Sequence, residues 1–297
     1  MKENLLQQIK DTIVFQYKLP HSDLQIDSSI FSTQEDHCYK IIDNQALIDI
    51  ICKGIINYSF EEYEIEQVEF NYEALFETAL EERFRFNSNA SESSQLKYGF
   101  YGEVLLHAIL LAYFNTEVFI SRGHFYDLLS KSEVHGYDSY HIIVKDQNKL
   151  ELWFGEVKFK TKNETTIQDI TKNFKKIFCE EYLNKNLTSI QKYYQKSRHP
   201  ILIELSEAWK NNPIIKLKNE IKKYDITLVY PILWIYETKK DYDEAIEYIV
   251  EIINQQDKDI SAEIPYELFF ILIPCNAIRD IKIGVLEWIK SNILKKS

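Results

Sequence analysis

Glycine and proline are scarce in this chain, with 7 Gly and 6 Pro in 297 residues. That excludes a flexible linker, a low-complexity tail or a collagen-like segment. No solenoid period is visible. No run of about 18 apolar residues occurs, so no membrane-spanning helix is expected. The opening "MKENLLQQIKDTIVFQYKLP" has neither a long apolar core nor a small-residue cleavage site, so a secretory signal is not expected either. The four cysteines, Cys38, Cys52, Cys179 and Cys275, show no C-x-x-C spacing. They point to buried free thiols in a reducing cytoplasm, not to a zinc site. What is plentiful is apolar and charged material, 45% and 27% of residues, the balance of a soluble globular protein with a substantial core.

A net charge of −11 speaks against simple polyanion binding, but the charge is unevenly spread. Residues 1–97 carry 8 Lys/Arg against 18 Asp/Glu, whereas residues 145–223 carry 17 against 10. Salt screens charge beyond about 8–10 Å, so a polyanion feels the local excess and not the total.

Periodicity places the elements. "LIDIICKGIINYSF" and "ALFETALEERFRF" have helical spacing and "VFQYKL" alternates as a strand. These form an acidic α+β region over residues 1–95, bounded by the small, polar "NSNASESSQ". Residues 96–297 form the second unit. There "LKYGFYGEVLLHAILLAYF" is apolar on all sides and predicts a buried helix. "TEVFISR", "YDSYHIIVK" and "LELWFGEVKFK" predict strands, the last two as a hairpin. Further helices follow, then "DITLVYPILWIYE" as a strand, whose internal Pro231 predicts a sheet edge or bulge. A helix, the strand "YELFFILIPC" and a closing helix complete the order. The fold class is α/β, a mixed sheet flanked by helices with crossover-connected strands beside the hairpin.

The stretch "GEVKFK" carries the chemistry. Glu156 and Lys158 lie two apart and so share one strand face, with Trp153, Val157 and Phe159 on the other. A carboxylate and an ammonium on a buried strand are costly unless something pairs with them. Asp138, just before the preceding strand, can approach Glu156 across the hairpin, and the buried helix can bring Glu103 over the sheet. Two or three convergent carboxylates suit a hard cation such as Mg2+, or Mn2+, held through oxygen. Such a cation activates water and stabilises a phosphodiester transition state, and a neighbouring lysine neutralises developing charge. His107 fits packed core, and His135 and His141 fit loop and strand positions without metal-ligand spacing. Lys160 and Lys162 continue the strand beyond the acids, while Lys192, Lys196 and Arg198 interleave with aromatics in "SIQKYYQKSR", a pattern that can grip a nucleic-acid backbone.

The combination of helical "GE", "GYD" and "EVK", in that order, resembles the PD-(D/E)xK nuclease superfamily, although Tyr137 stands where the superfamily often has proline. The resemblance implies a restriction-endonuclease-like fold, Glu103, Asp138 and Glu156 as metal ligands, and Lys158 as the catalytic lysine. The longer string from "YGFYGEVLLHAILLAYF" to "LELWFGEVKFK" is similar to the HamA family, the nuclease subunits of Hachiman anti-phage defence. That similarity implies a cytoplasmic DNA nuclease restrained by a helicase-like HamB partner. An RNase of the same fold and a non-catalytic nucleic-acid- or partner-binding subunit are the alternatives.

Overall fold

A computed structural model describes residues 2–19, 32–33, 35–60, 64–65, 71–121, 126–127, 132–133, 136–145, 149–161, 163–177, 179–193, 200–210, 212, 216–255 and 266–292. Of the expected nucleic-acid contacts, Lys162, Lys196 and Arg198 lie outside the described residues, as do His135 and the side chain of Lys192.

The chain begins with α1 (Lys2–Thr12), β1 (Ile13–Leu19), β2 (Ser32–Thr33), β3 (Asp36–Ile41) and α2 (Asn44–Ser59). Next come α3 (Tyr72–Thr78), which runs into a π-helical turn at Ala79–Arg83, then α4 (Glu92–Gln95) and α5 (Phe100–Tyr113). The short strands β4 (Glu117–Val118), β5 (Tyr126–Asp127) and β6 (Ser132–Glu133) precede the hairpin of β7 (Ser139–Val144) and β8 (Leu150–Lys160). Four helices follow: α6 (Asn163–Ile177), α7 (Glu180–Tyr193), α8 (Pro200–Lys210) and α9 (Leu217–Lys223). The chain closes with β9 (Ile226–Glu237), α10 (Tyr242–Asn254), β10 (Glu267–Cys275) and α11 (Ile278–Asn292).

One mixed sheet runs in the order β1-β3-β10-β9-β8-β7-β4, with β2 pairing beside β3 on β10. The β7–β8 hairpin is antiparallel, and β8, β9 and β10 are mutually parallel, as their helical crossovers require. This is the expected α/β arrangement.

Alternating strand residues feed two cores. Trp153, Val157 and Phe159 of β8 pack with residues of α2, α5 and α11 on one face. Leu152 and Phe154 pack with α6, α7 and α10 on the other. The period-2 alternation of strand side chains accounts for this division.

The described elements before residue 95 share this sheet and core. β3 pairs parallel with β10, and the Asp36 carboxylate accepts the Phe270 N–H at 2.8 Å. The stretch around residue 95 therefore interrupts neither sheet nor core.

Pro231 does not mark an edge, because β9 is central and parallel to neighbours on both sides. Its ladder with β8 runs to Trp153–Val229, lapses opposite Tyr230 and Pro231, and resumes at Glu156–Ile232 in the same register. A proline lacking its N–H is thus accommodated by a local gap in the hydrogen bonding. Among the described residues, the strand expected over 116–122 is confined to Glu117–Val118, since the Phe119 and Ile120 N–H groups both turn to the Tyr140 carbonyl.

Candidate active site

The site arises where the hairpin partners part company. Ser139 pairs with Gly155, and beyond that point β8 continues without β7 beside it. A strand edge left in this way presents unpaired backbone groups. Asp138 resolves the first of them. Its own N–H donates to the Gly155 carbonyl at 2.9 Å, and its Oδ2 accepts the Val157 N–H at 2.8 Å. The preceding Tyr137 is buried, stacked on Phe154 at 4.8 Å, and its N–H donates to Tyr140 Oη at 3.0 Å. A packed aromatic thus fixes the turn that aims Asp138 at β8.

Glu103 arrives from α5. At Gly102 the helix approaches β8 so closely that a Cβ would lie 2.8 Å from Val157 Cγ2. The Glu103 carboxylate folds back over the first turn, where a Cβ on Gly99 would meet Oε1 at 2.6 Å. The helix N-terminus favours a carboxylate at this position. Tyr58, at the end of α2 and 2% exposed, reaches both acids' neighbourhoods. Its Oη lies 2.7 Å from Glu103 Oε2 and 2.9 Å from the Asp138 carbonyl, with both oxygens as acceptors.

Glu156 and Lys158 form a close ion pair on one face of β8, their side chains 13% and 14% exposed. Tyr230 Oη lies 3.4 Å from Glu156 Oε2. Burial is the largest single influence on Lys158 and acts to discharge it, but the charge and hydrogen bond of Glu156, with Asp138 and Asp169, outweigh it. The net shift is upward and the ammonium persists. Burial, reinforced by Glu156 and Asp138, holds the Tyr230 phenol far above its usual range, so it remains a neutral donor.

All four expected residues line one cleft of about 720 Å³, together with Gly99, Gly102 and Val157. Lys160 lies at its rim, half-exposed, with Asp169 at 3.5 Å. Among the described residues, no three acidic, histidine or cysteine side chains are gathered closely enough to cage a metal ion. Each carboxylate is instead turned to a protein donor: Tyr58 for Glu103, the Val157 N–H for Asp138, and Lys158 and Tyr230 for Glu156. The donor set is nonetheless hard oxygen, and Mg2+ commonly takes only one or two protein carboxylates, completing its shell with water and substrate phosphate.

A family model described as HamA matches residues 9–289. The chain belongs to the HamA family. Membership makes it a component of the Hachiman antiviral defence system. The HamA match spans both the acidic N-terminal segment and the hairpin, in keeping with their shared sheet. No curated protein and no solved structure matches the chain. No helix among the described residues is long and apolar enough to cross a membrane.

Sequence reasoning missed Tyr58 and Lys282. Tyr58 is one of 20 tyrosines, and nothing local separates it from a core residue. Lys282 left a signal. It stands four residues after Ile278 and three before Val285, on the side of α11 that is buried, so it is a lysine placed on an apolar stripe. His107 and His141, taken separately as core and strand residues, form a pair. His107 Nδ1 lies 3.0 Å from His141 Nε2, and Thr116 Oγ1 lies 2.6 Å from His141 Nδ1.

Proposed function

We propose that this HamA-family chain is a Mg2+-dependent deoxyribonuclease, the effector of a Hachiman system, working with a HamB-like helicase that restrains it. The observation that carries the proposal is the meeting of Glu103, Asp138, Glu156 and Lys158 in one cleft although three separate elements supply them. One or two of the carboxylates Asp138, Glu156 and Glu103 would hold the cation, with water and substrate phosphate completing its shell. Mg2+, or Mn2+ in its place, would supply a polarised phosphodiester and a water acidic enough to attack it.

The side chains divide the remaining work. Lys158, kept charged by its acidic neighbours, neutralises charge that develops on the phosphate. Tyr58 orients Glu103, and the backbone of β8 orients Asp138 through the Val157 N–H. The net charge of −11 weakens DNA affinity in the isolated chain, which suits an effector that should act only when engaged.

The test is a substrate panel of supercoiled plasmid, single-stranded DNA and RNA with Mg2+, Mn2+ or EDTA, in the presence and absence of the helicase. DNA cleavage that requires metal and is controlled by the helicase supports the proposal. Cleavage of RNA alone moves the chain to the RNase alternative. Metal-independent binding with no cleavage under any condition identifies a binding subunit.

A further inference from the structure

The cleft has a second wall that the four-residue motif does not use. Lys282 lines it from α11, accompanied by Arg279 and Lys97. The Lys282 ammonium donates to the Phe159 carbonyl at 3.1 Å and to the Leu96 carbonyl at 3.3 Å. It also lies over the rings of Phe159 and Tyr101, at 5.0 and 5.3 Å. Among the described residues no carboxylate forms an ion pair with it. Burial, followed by the charge of Lys160, pulls its pKa down to about 8.

A cation desolvated without a counter-charge is costly, and carbonyl dipoles and ring faces recover only part of that cost. Two of its three hydrogens are committed to carbonyls, which leaves one for an acceptor entering the cleft. Arg279, one turn earlier, has only a marginal contact with Glu92 at 3.9 Å and a largely exposed side chain. Lys160 stands on the same strand as Glu156, two beyond Lys158, half-exposed and with Asp169 at 3.5 Å. An anion here would meet three cations while its neighbour along a polymer met the carboxylates.

We infer that Lys282, with Arg279 and Lys160, forms a phosphate seat that binds a nucleic-acid backbone phosphate next to the one positioned for cleavage. This rests on the nuclease proposal and extends it, because it makes the cleft a two-phosphate reader: one wall reacts and the other sets the register of the strand. Lys282 is a binding residue in this scheme, and its grip on the Phe159 carbonyl ties the seat to the strand that carries Glu156 and Lys158.

The experiment measures binding of a short fluorescent duplex DNA to the full chain in EDTA across a salt series. Wild type, Lys282→Met and Lys282→Arg are compared, and cleavage is assayed separately with Mg2+. Lys282→Met should weaken binding about tenfold at low salt and flatten the slope of log affinity against log salt by about one. Lys282→Arg should preserve both. A purely structural role for Lys282 would lower the melting temperature of Lys282→Met and leave the salt slope alone. Unchanged affinity and slope in Lys282→Met, or no salt-dependent binding by wild type, overturns the seat. If Lys282→Met does not fold, the exposed pair Lys160→Ala/Arg279→Ala decides. It should bind severalfold more weakly, and unchanged binding overturns the seat. Lys282-dependent binding with no Mg2+-dependent cleavage even when the helicase is added would remove the nuclease proposal and leave the seat intact, so the two failures are distinguishable.

Discussion

Two buried polar clusters sit on the same hairpin, and they differ in what lies beside them. His141 of β7 and His107 of α5 are 1% and 4% exposed, and Thr116 completes a sealed cluster in which both ring nitrogens of His141 meet a protein group. Glu156 and Lys158 of β8 are also mostly buried, yet they open onto a cleft that Asp138 and Glu103 share. The sealed cluster is built to be neutral, since burial, and then the neighbouring His107, push His141 well below the usual histidine range. The open cluster keeps its lysine charged, since Lys158 is shifted upward. Burial alone therefore does not separate structural from functional polar groups. Retained charge beside an open volume is what marks the candidate site.

The largest expected effect is on the open cluster. Glu156→Gln should lower DNA cleavage by about a hundredfold or more, roughly the loss of 3 kcal/mol of transition-state stabilisation. It also leaves Lys158 without its partner, which should cost a few kcal/mol of stability. The double variant Glu156→Gln/Lys158→Met should recover that stability in thermal melts and recover no activity. Recovery of cleavage in the double variant would break the comparison.

The sealed cluster should behave in the opposite way. His141→Ala should cost about 3 kcal/mol by removing a buried side chain and its hydrogen bonds, while cleavage per folded molecule stays within about threefold of wild type. Calorimetry and single-turnover assays on the same preparations measure both. A hundredfold loss of cleavage in a folded His141 variant would place the sealed cluster in the catalytic machinery.

The pH dependence sharpens the contrast. A depressed folded-state pKa for His141 means that the unfolded chain binds the extra proton first, so stability present above about pH 6.5 is lost as pH falls. His37, lowered to about 4 by burial and then by Lys18, adds to the same acid-side loss. Lys158 has a raised pKa, so its contribution is complete below about pH 10.5 and disappears only as pH climbs through its folded value. Melting temperatures should therefore fall from pH 7 toward pH 4.5, and His141→Gln should flatten part of that slope. Lys158→Met should leave the acid side unchanged.

The smallest effect is expected at Tyr58. Tyr58→Phe keeps the ring stacked on Phe84 and removes only the hydroxyl that meets Glu103. It should cost about 1 kcal/mol of stability and raise the metal concentration for half-maximal cleavage severalfold. An unchanged metal titration would mean that Glu103 needs no such support.

The sequence exposed the open cluster because its key relation is local. Glu156 and Lys158 are two apart on a strand whose limits, Leu150–Lys160, follow directly from "LELWFGEVKFK". The hairpin then brings Asp138 alongside. Residues whose roles depend on distant elements were less legible. Tyr58 reaches the site only because α2 packs against α5, and Lys282 only because α11 returns across the end of β8. The local signal of Pro231 allows an edge or a bulge, and only long-range strand pairing, which makes β9 central, removes the edge. The His107–His141 contact likewise joins a helix to a strand 34 residues away, and neither histidine alone predicts it.

The most direct test of the account compares wild type, Glu156→Gln and His141→Gln on supercoiled plasmid. Each is assayed with Mg2+ and with EDTA, with the proposed HamB-like helicase present, and scored per folded molecule. The account predicts Mg2+-dependent cleavage by wild type and His141→Gln and its loss in Glu156→Gln. Cleavage that survives in Glu156→Gln, or that proceeds equally in EDTA, would contradict it.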